Sequence, residues 1–147
     1  MSFILNFHAL CLLGDSVCLS HVRIKCDAAW TRDLKASGGW FFQSSDGMLL
    51  HSGATSFWAS SSFQAEAMAL FLALQAALSF GYHHIDANSD CLQLVMQLGG
   101  VANIAQDIKA LIGKIQRLLL YCHCFSISYC PRHLNRIAHS LAKSALA

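Results

Sequence analysis

Glutamate is nearly missing from this chain: of 147 residues only Glu66 is one, and all charged residues together make up 12%. With a formal balance of +2 and a calculated pI near 8.2, the chain leans basic but lacks the strong bias of a dedicated nucleic-acid coat. Proline is as scarce, with Pro131 alone. The seven cysteines, Cys11, Cys18, Cys26, Cys91, Cys122, Cys124 and Cys130, form an odd set without a C-x-x-C pair. That excludes a complete disulfide framework and a zinc knuckle, and leaves buried free thiols as the reading. "CHC" at 122–124 has no second ligand pair at zinc spacing and reads as strand filling.

The opening "MSFILNFHALCLLGDSVCLS" has no Lys or Arg ahead of its apolar run, the flank that a secretory signal wants. The run is also far short of a membrane span and is broken by Asn6 and His8. Residues 1–20 therefore read as an amino-terminal appendage or an extra strand, with a signal peptide as the lesser alternative. No repeat or low-complexity linker divides the rest. What is abundant is apolar material: 55% hydrophobic content in a chain of this length supports one domain with its own core.

Residues 21–147 punctuate themselves. "HVRIKCDA" alternates Val22, Ile24, Cys26 and Ala28 against Arg23, Lys25 and Asp27, the period of a strand. "GGWFFQ" and "MLLHSGATSFW" are two more strands around "SSDG", whose Asp46-Gly47 pair suits a tight hairpin turn. A helix follows, capped by Ser61 or Ser62 and ended by Gly81, with Phe63, Ala67, Leu70, Phe71, Leu74, Ala77 and Leu78 recurring at three and four. "HIDANSD" is a short strand running into a helix over "CLQLVMQLGG". A third helix spans about 103–120, with Ile104, Ile108, Leu111, Ile115 and Leu118 on one side. "YCHCFSISYC" is a fifth strand closed by Pro131, and a terminal helix places Leu134, Ile137, Ala138, Leu141 and Ala145 on one face. The order βββαβααβα implies a mixed sheet with helices packed on it, and functional groups gathered where central strands end and helices begin.

Glu66 lies four residues before Leu70 and eight before Leu74, on the inward row of its helix. An ionised carboxylate alone in apolar surroundings costs several kcal/mol, so Glu66 needs a cation, donors or a metal. The plainer reading is an anion near a helix amino end. Asp27 interrupts a strand interior, where aspartate is disfavoured, although a polar position in phase with Arg23 and Lys25 would also account for it. Asp90 stands at a strand-to-helix junction, where an ordinary helix cap is the alternative. A single explanation covers all three: carboxylates brought together need something positive between them, and oxygen ligands of this kind suit Mg²⁺ or Mn²⁺. Two such ions about 4 Å apart support phosphoryl transfer.

These residues resemble the ribonuclease H-like family, and specifically its plant, retroelement-derived reverse-transcriptase-like branch. The carriers are "VRIKCDAAW", "SSFQAEAMAL", "IDANSDCLQLV" and "PRHLNRIAHSLAKSA", in order from about residue 21 to the end. The resemblance implies an α/β fold with a five-stranded mixed sheet, three antiparallel strands followed by two parallel ones, flanked by helices. It implies that Asp27, Glu66, Asp90 and His139 are catalytic and ligate the metal, His139 standing where the family has a fourth carboxylate. Imidazole is a weaker partner for Mg²⁺ than an anion, and a packed helical histidine is the alternative for His139. Arg132, Asn135 and Arg136 are the candidates for nucleic-acid contact, Asn135 also as a support for His139 one turn on. Trp30, Trp40 and Trp58 read as sheet packing rather than base-stacking platforms. The implied activity is metal-dependent hydrolysis of the RNA strand of RNA-DNA hybrids by a monomer that does not engage membranes. The alternative is a catalytically weakened or inactive remnant that still binds nucleic acid. Absent targeting signals leave nucleus or cytoplasm as the expected compartment.

Overall fold

The alternation across 21–30 builds the central strand. In a computed structural model, which describes residues 1–5 and 21–146, β2 (His21–Trp30) buries Val22, Ile24 and Cys26 on one face. The other strands are β1 (Ser2–Leu5), β3 (Lys35–Gln43), β4 (Leu49–Trp58), β5 (His84–Ser89) and β6 (Cys124–Tyr129). They form one sheet in the order β1-β6-β5-β2-β3-β4. Strands β2, β3 and β4 are successive antiparallel neighbours, whereas β5 runs parallel to both β2 and β6. The expected three-plus-two arrangement is therefore present, and β1 adds a sixth strand antiparallel to β6, with Ser2 opposite Ser128. The expectations for residues 6–20, including Cys11 and Cys18, lie outside the described residues.

Turn chemistry fixes the hairpins and helix ends. Gly47 adopts φ +87°, and its N–H donates to the Ser44 carbonyl at 2.9 Å, closing the turn between β3 and β4. Helix α1 (Ser62–Ser79) starts where the Ser61 hydroxyl accepts from the Gln64 N–H at 3.0 Å. It stops before Gly81, also at φ +87°. Helices α2 (Leu92–Leu98), α3 (Lys109–Leu119) and α4 (Arg136–Leu146) complete the set.

The core lies between the sheet and helices α1 to α3, where Phe42, Leu70, Leu74, Ile85, Leu94, Ile112, Ile115 and Phe125 have no exposure. Helix α4 covers the other face against β2, β3 and β4. Two sequence expectations shift here. The third helix begins at Lys109, after a short 3₁₀ turn at Gln106–Ile108, so Ile104 is exposed and the buried row is Ile108, Leu111, Ile112, Ile115 and Leu119. The terminal helix turns Ala138 and Ala142 to the sheet, leaving Leu134 and Ile137 exposed. Sheet contact at such close range selects the smallest side chains rather than the largest.

Adjacent glycines on β3 explain that range. A Cβ on Gly38 would lie 3.0 Å from Ala69 of α1, and one on Gly39 would lie 2.5 Å from the Ala138 carbonyl and the Ala142 N–H group of α4. The Ser37 hydroxyl donates to the Ala142 carbonyl beside this contact. Gly39→Ala is expected to lower stability by about 1–3 kcal/mol, because backbone cannot yield to the added methyl as a flexible side chain would. Thermal unfolding should show a fall of about 3–10 °C. Gly113→Ala, at an open position in α3, should raise it by up to about 1 kcal/mol.

Trp40 packs in the core, and the Trp30 indole donates to the Ala59 carbonyl at 2.9 Å. Trp58 departs from the packing expectation: it sits at the end of the edge strand β4 and is 70% exposed.

Candidate metal centre

Strands β2 and β5 pair as far as Cys26 opposite Ser89. Asp27 is therefore the first residue of β2 beyond the end of β5, and Asp90 the first residue after β5. A gap opens between them at the carboxyl end of the sheet. Glu66 enters it from α1, one turn before the fully buried Leu70. Ligand oxygens of Asp27, Glu66 and Asp90 lie within 4.8 Å of one another.

Each plainer reading of these acids is answered by position. Asp27 is only 1% exposed, so it is not a solvated strand position. Glu66 is not an anion of the first helical turn, which holds no acid. Asp90 makes no cap: α2 has Cys91 at its N-cap position, and the Ser89 hydroxyl accepts the Cys91 N–H at 3.1 Å.

Burial first, and crowding second, set the electrostatics. Burial, then the charges of Asp27 and Asp90, push the Glu66 carboxyl up to about 9, reinforced by a hydrogen bond with Asp27 and opposed by one from the Ala28 backbone. Asp90 is raised by burial and by Asp27, and is eased by Arg132 and by a hydrogen bond from Asn135. The Arg132 guanidinium is 3.8 Å from Asp90, with 78% of its side chain in solvent, a distance that gives weak compensation. Among the described residues, Oδ2 of Asp90 is buried without a hydrogen-bond partner, the Arg132 guanidinium being its nearest cation, and Oδ1 of Asn135 is likewise unpaired. Three converging carboxylates, one holding a proton at neutral pH and one with an orphaned buried oxygen, are a donor set lacking positive charge. Hard divalent cations fit it. Thiols nearby do not compete, since burial and these acids push Cys26 well above its ordinary range and Cys91 to about 11.

His139 joins the group through Asp27, its Nδ1 lying 2.8 Å from Asp27 Oδ2. In the neutral ring, a carboxylate accepting from Nδ1 leaves the lone pair on Nε2. The nucleic-acid candidates separate. Arg132, just before α4, is exposed at the site's rim beside Asp90, and Arg136 is exposed at the first residue of α4. Asn135 is fully buried and donates to the Cys26 carbonyl at 2.9 Å. It cannot touch a nucleic-acid strand; instead it fixes the start of α4 against β2. Lys25 was not singled out from the sequence, yet its ammonium donates to the Leu134 carbonyl at 3.2 Å and ties the same junction. Only its phase with Arg23 marked it, and that phase says nothing of a partner 109 residues away.

Comparison with known proteins extends these observations. A family model described as reverse transcriptase-like matches residues 25–145. A ribonuclease HI of Halobacterium salinarum is 32% identical over 112 residues, which are 76% of this chain and 56% of that protein. The chain thus spans little more than half the length of this curated relative. The crystal structure of ribonuclease H1 from the same archaeon superimposes with a TM-score of 0.81 at 31% identity, covering 86% of this chain and 97% of that one. The amino-terminal ribonuclease H domain of a Mycobacterium tuberculosis protein gives 0.78 at 22% identity, covering 86% and 93%. A compost-derived ribonuclease H1 in complex with an RNA/DNA hybrid gives 0.79 at 21%, covering 85% and 96%. The last two are likenesses of fold.

Proposed function

Because the chain belongs to the reverse transcriptase-like family and has the ribonuclease H fold, we propose that it is a metal-dependent endonuclease hydrolysing the RNA strand of RNA-DNA hybrids. The observation that carries this reading is the meeting of Asp27, Glu66 and Asp90 within 4.8 Å at the carboxyl end of the central strands. Mg²⁺ or Mn²⁺ is the cofactor, held by these three carboxylates with His139 at the fourth position. Bound there, such ions would supply charge stabilisation at the phosphodiester and activation of a water.

The chain's own residues supply positioning. Asp27 is buried in a strand paired on its β3 side, so its oxygens are fixed before substrate arrives. His139 holds Asp27 through Nδ1 and presents Nε2, a nitrogen able to accept a proton from an incoming water or to take a ligand position. Arg132 and Arg136 offer exposed charge to phosphates at the rim, and recognition rests on the minor-groove shape and 2′-hydroxyls of the hybrid.

A hybrid with each strand separately labelled tests the reading. The RNA strand should be cut in Mg²⁺ or Mn²⁺ and the DNA strand left intact. His139→Asp, which restores an anion at the fourth position, should raise the rate at limiting metal by about tenfold, in line with the 10–100-fold effects of groups that tune metal sites. No cleavage by either protein in either metal would favour the binding-only remnant.

A further inference from the structure

A second convergence of ligand atoms lies on the sheet face that carries α4, at the opposite end of β2. His21 pairs in register with His84, and Arg23 with Asp86, so His21, His84 and Asp86 project on the same side of the parallel β2–β5 pair. One ligand atom from each lies within 4.8 Å of the other two. His21 Nε2 is 2.7 Å from Asp86 Oδ2, and the imidazoles of His21 and His84 face each other with centroids 4.5 Å apart. All three are half-buried. The Ser126 hydroxyl, from β6, donates to Asp86 Oδ1 and orients the carboxylate. Nδ1 of His84 is buried with no hydrogen-bond partner among the described residues.

A plain His21–Asp86 pair would need neither the second imidazole nor its approach to the first. We propose that His21, His84 and Asp86 form a binding site for zinc or a similar borderline divalent cation, separate from the carboxylate centre. Two imidazoles and one carboxylate are a zinc-type donor set that leaves a fourth position for water, whereas the three carboxylates at the other end of β2 are a hard-ion set. Six residues separate His21 from Asp27 along β2, about 20 Å of strand, so the two sites do not share a ligand. In tetrahedral zinc geometry, ligand atoms about 2.0–2.1 Å from the ion stand roughly 3.3 Å apart. The His21–Asp86 contact, at 2.7 Å, would open by about half an ångström, and the separations to His84, within 4.8 Å, would close toward the same value as the ion replaces that hydrogen bond. Burial, with His21 alongside, lowers the His84 pKa and favours the neutral ring that ligates metals. The ion would fasten β5 to β2 across their amino-terminal ends, adding to the backbone ladder and the His21–Asp86 contact.

Zn²⁺ titration of the metal-free full chain against a chromogenic chelator tests this, with Co²⁺ as a spectroscopic substitute. One equivalent should bind beyond any taken by the carboxylate centre, persist in excess Mg²⁺, raise the melting temperature, and give a Co²⁺ spectrum without the near-ultraviolet charge-transfer band of thiolate ligation. His21→Gln and His84→Gln should each weaken Zn²⁺ at least about tenfold, and Asp27→Asn should leave this equivalent in place. Melting of the metal-free variants separates misfolding from lost binding. Zn²⁺ affinity unchanged in both histidine variants, a thiolate band, or loss of the equivalent in Asp27→Asn alone overturns the proposal.

Discussion

Asp27→Asn is expected to cleave a labelled hybrid at least about 10³-fold more slowly than the parent protein. Asp27 is the junction of the centre: it is buried, bonded to His139 at 2.8 Å and to Glu66, and within ligand distance of Asp90. The amide removes a negative charge and turns an N–H group toward the metals. Metal-borne charge stabilisation is worth several kcal/mol, and about 4 kcal/mol corresponds to about 10³ in rate. The same change relieves repulsion among three crowded acids, so metal-free Asp27→Asn should melt no lower than the parent. Single-turnover cleavage and thermal melting on one preparation separate the effects. Equal cutting by both proteins would assign the activity to a contaminant and remove the nuclease reading.

The second large effect is on pH. Glu66, raised to about 9 in the metal-free protein, is protonated at pH 7 and must lose that proton to ligate. Apparent affinity for Mn²⁺ should therefore climb by up to about tenfold per pH unit from pH 6 and level off near 9, with proton release on binding. Without metal the dependence reverses. The folded state binds the proton more tightly than the unfolded chain does, so this contribution is complete below the ordinary carboxylate range and is lost as pH rises through about 9. Calorimetry in buffers of different ionisation enthalpy would count the proton, and melting between pH 5 and 9 would follow the stability. Glu66→Gln should flatten both profiles. An Mn²⁺ affinity independent of pH in the parent protein would mean that Glu66 is not a ligand.

Local pattern carried much of this molecule. Period-two alternation marked β2, three-and-four spacing marked α1 and placed Glu66 in phase with Leu70 and Leu74, and Asp46-Gly47 marked the turn between β3 and β4. These features are legible because side-chain direction repeats every two residues in a strand and every 3.6 in a helix, whatever the rest of the chain does. Asp27 and Glu66 could be suspected because each violates its local pattern, and such violations concentrate at functional sites, whereas Asp90 is marked only by standing where a central strand meets a helix.

What the sequence by itself determined is the order of elements and the set of residues sharing each face. Only the tertiary structure decided which part of a face meets the sheet and which distant groups meet each other. Ala138 and Ala142, not Leu134 and Ile137, lie against β3 because Gly39 brings two backbones too close for larger side chains. Asn135 is buried on the Cys26 carbonyl because the start of α4 docks on β2, and His21 meets His84 and Asp86 because strand register joins residues more than sixty positions apart. Register is set by packing summed over the whole sheet, and no short stretch of chain contains it.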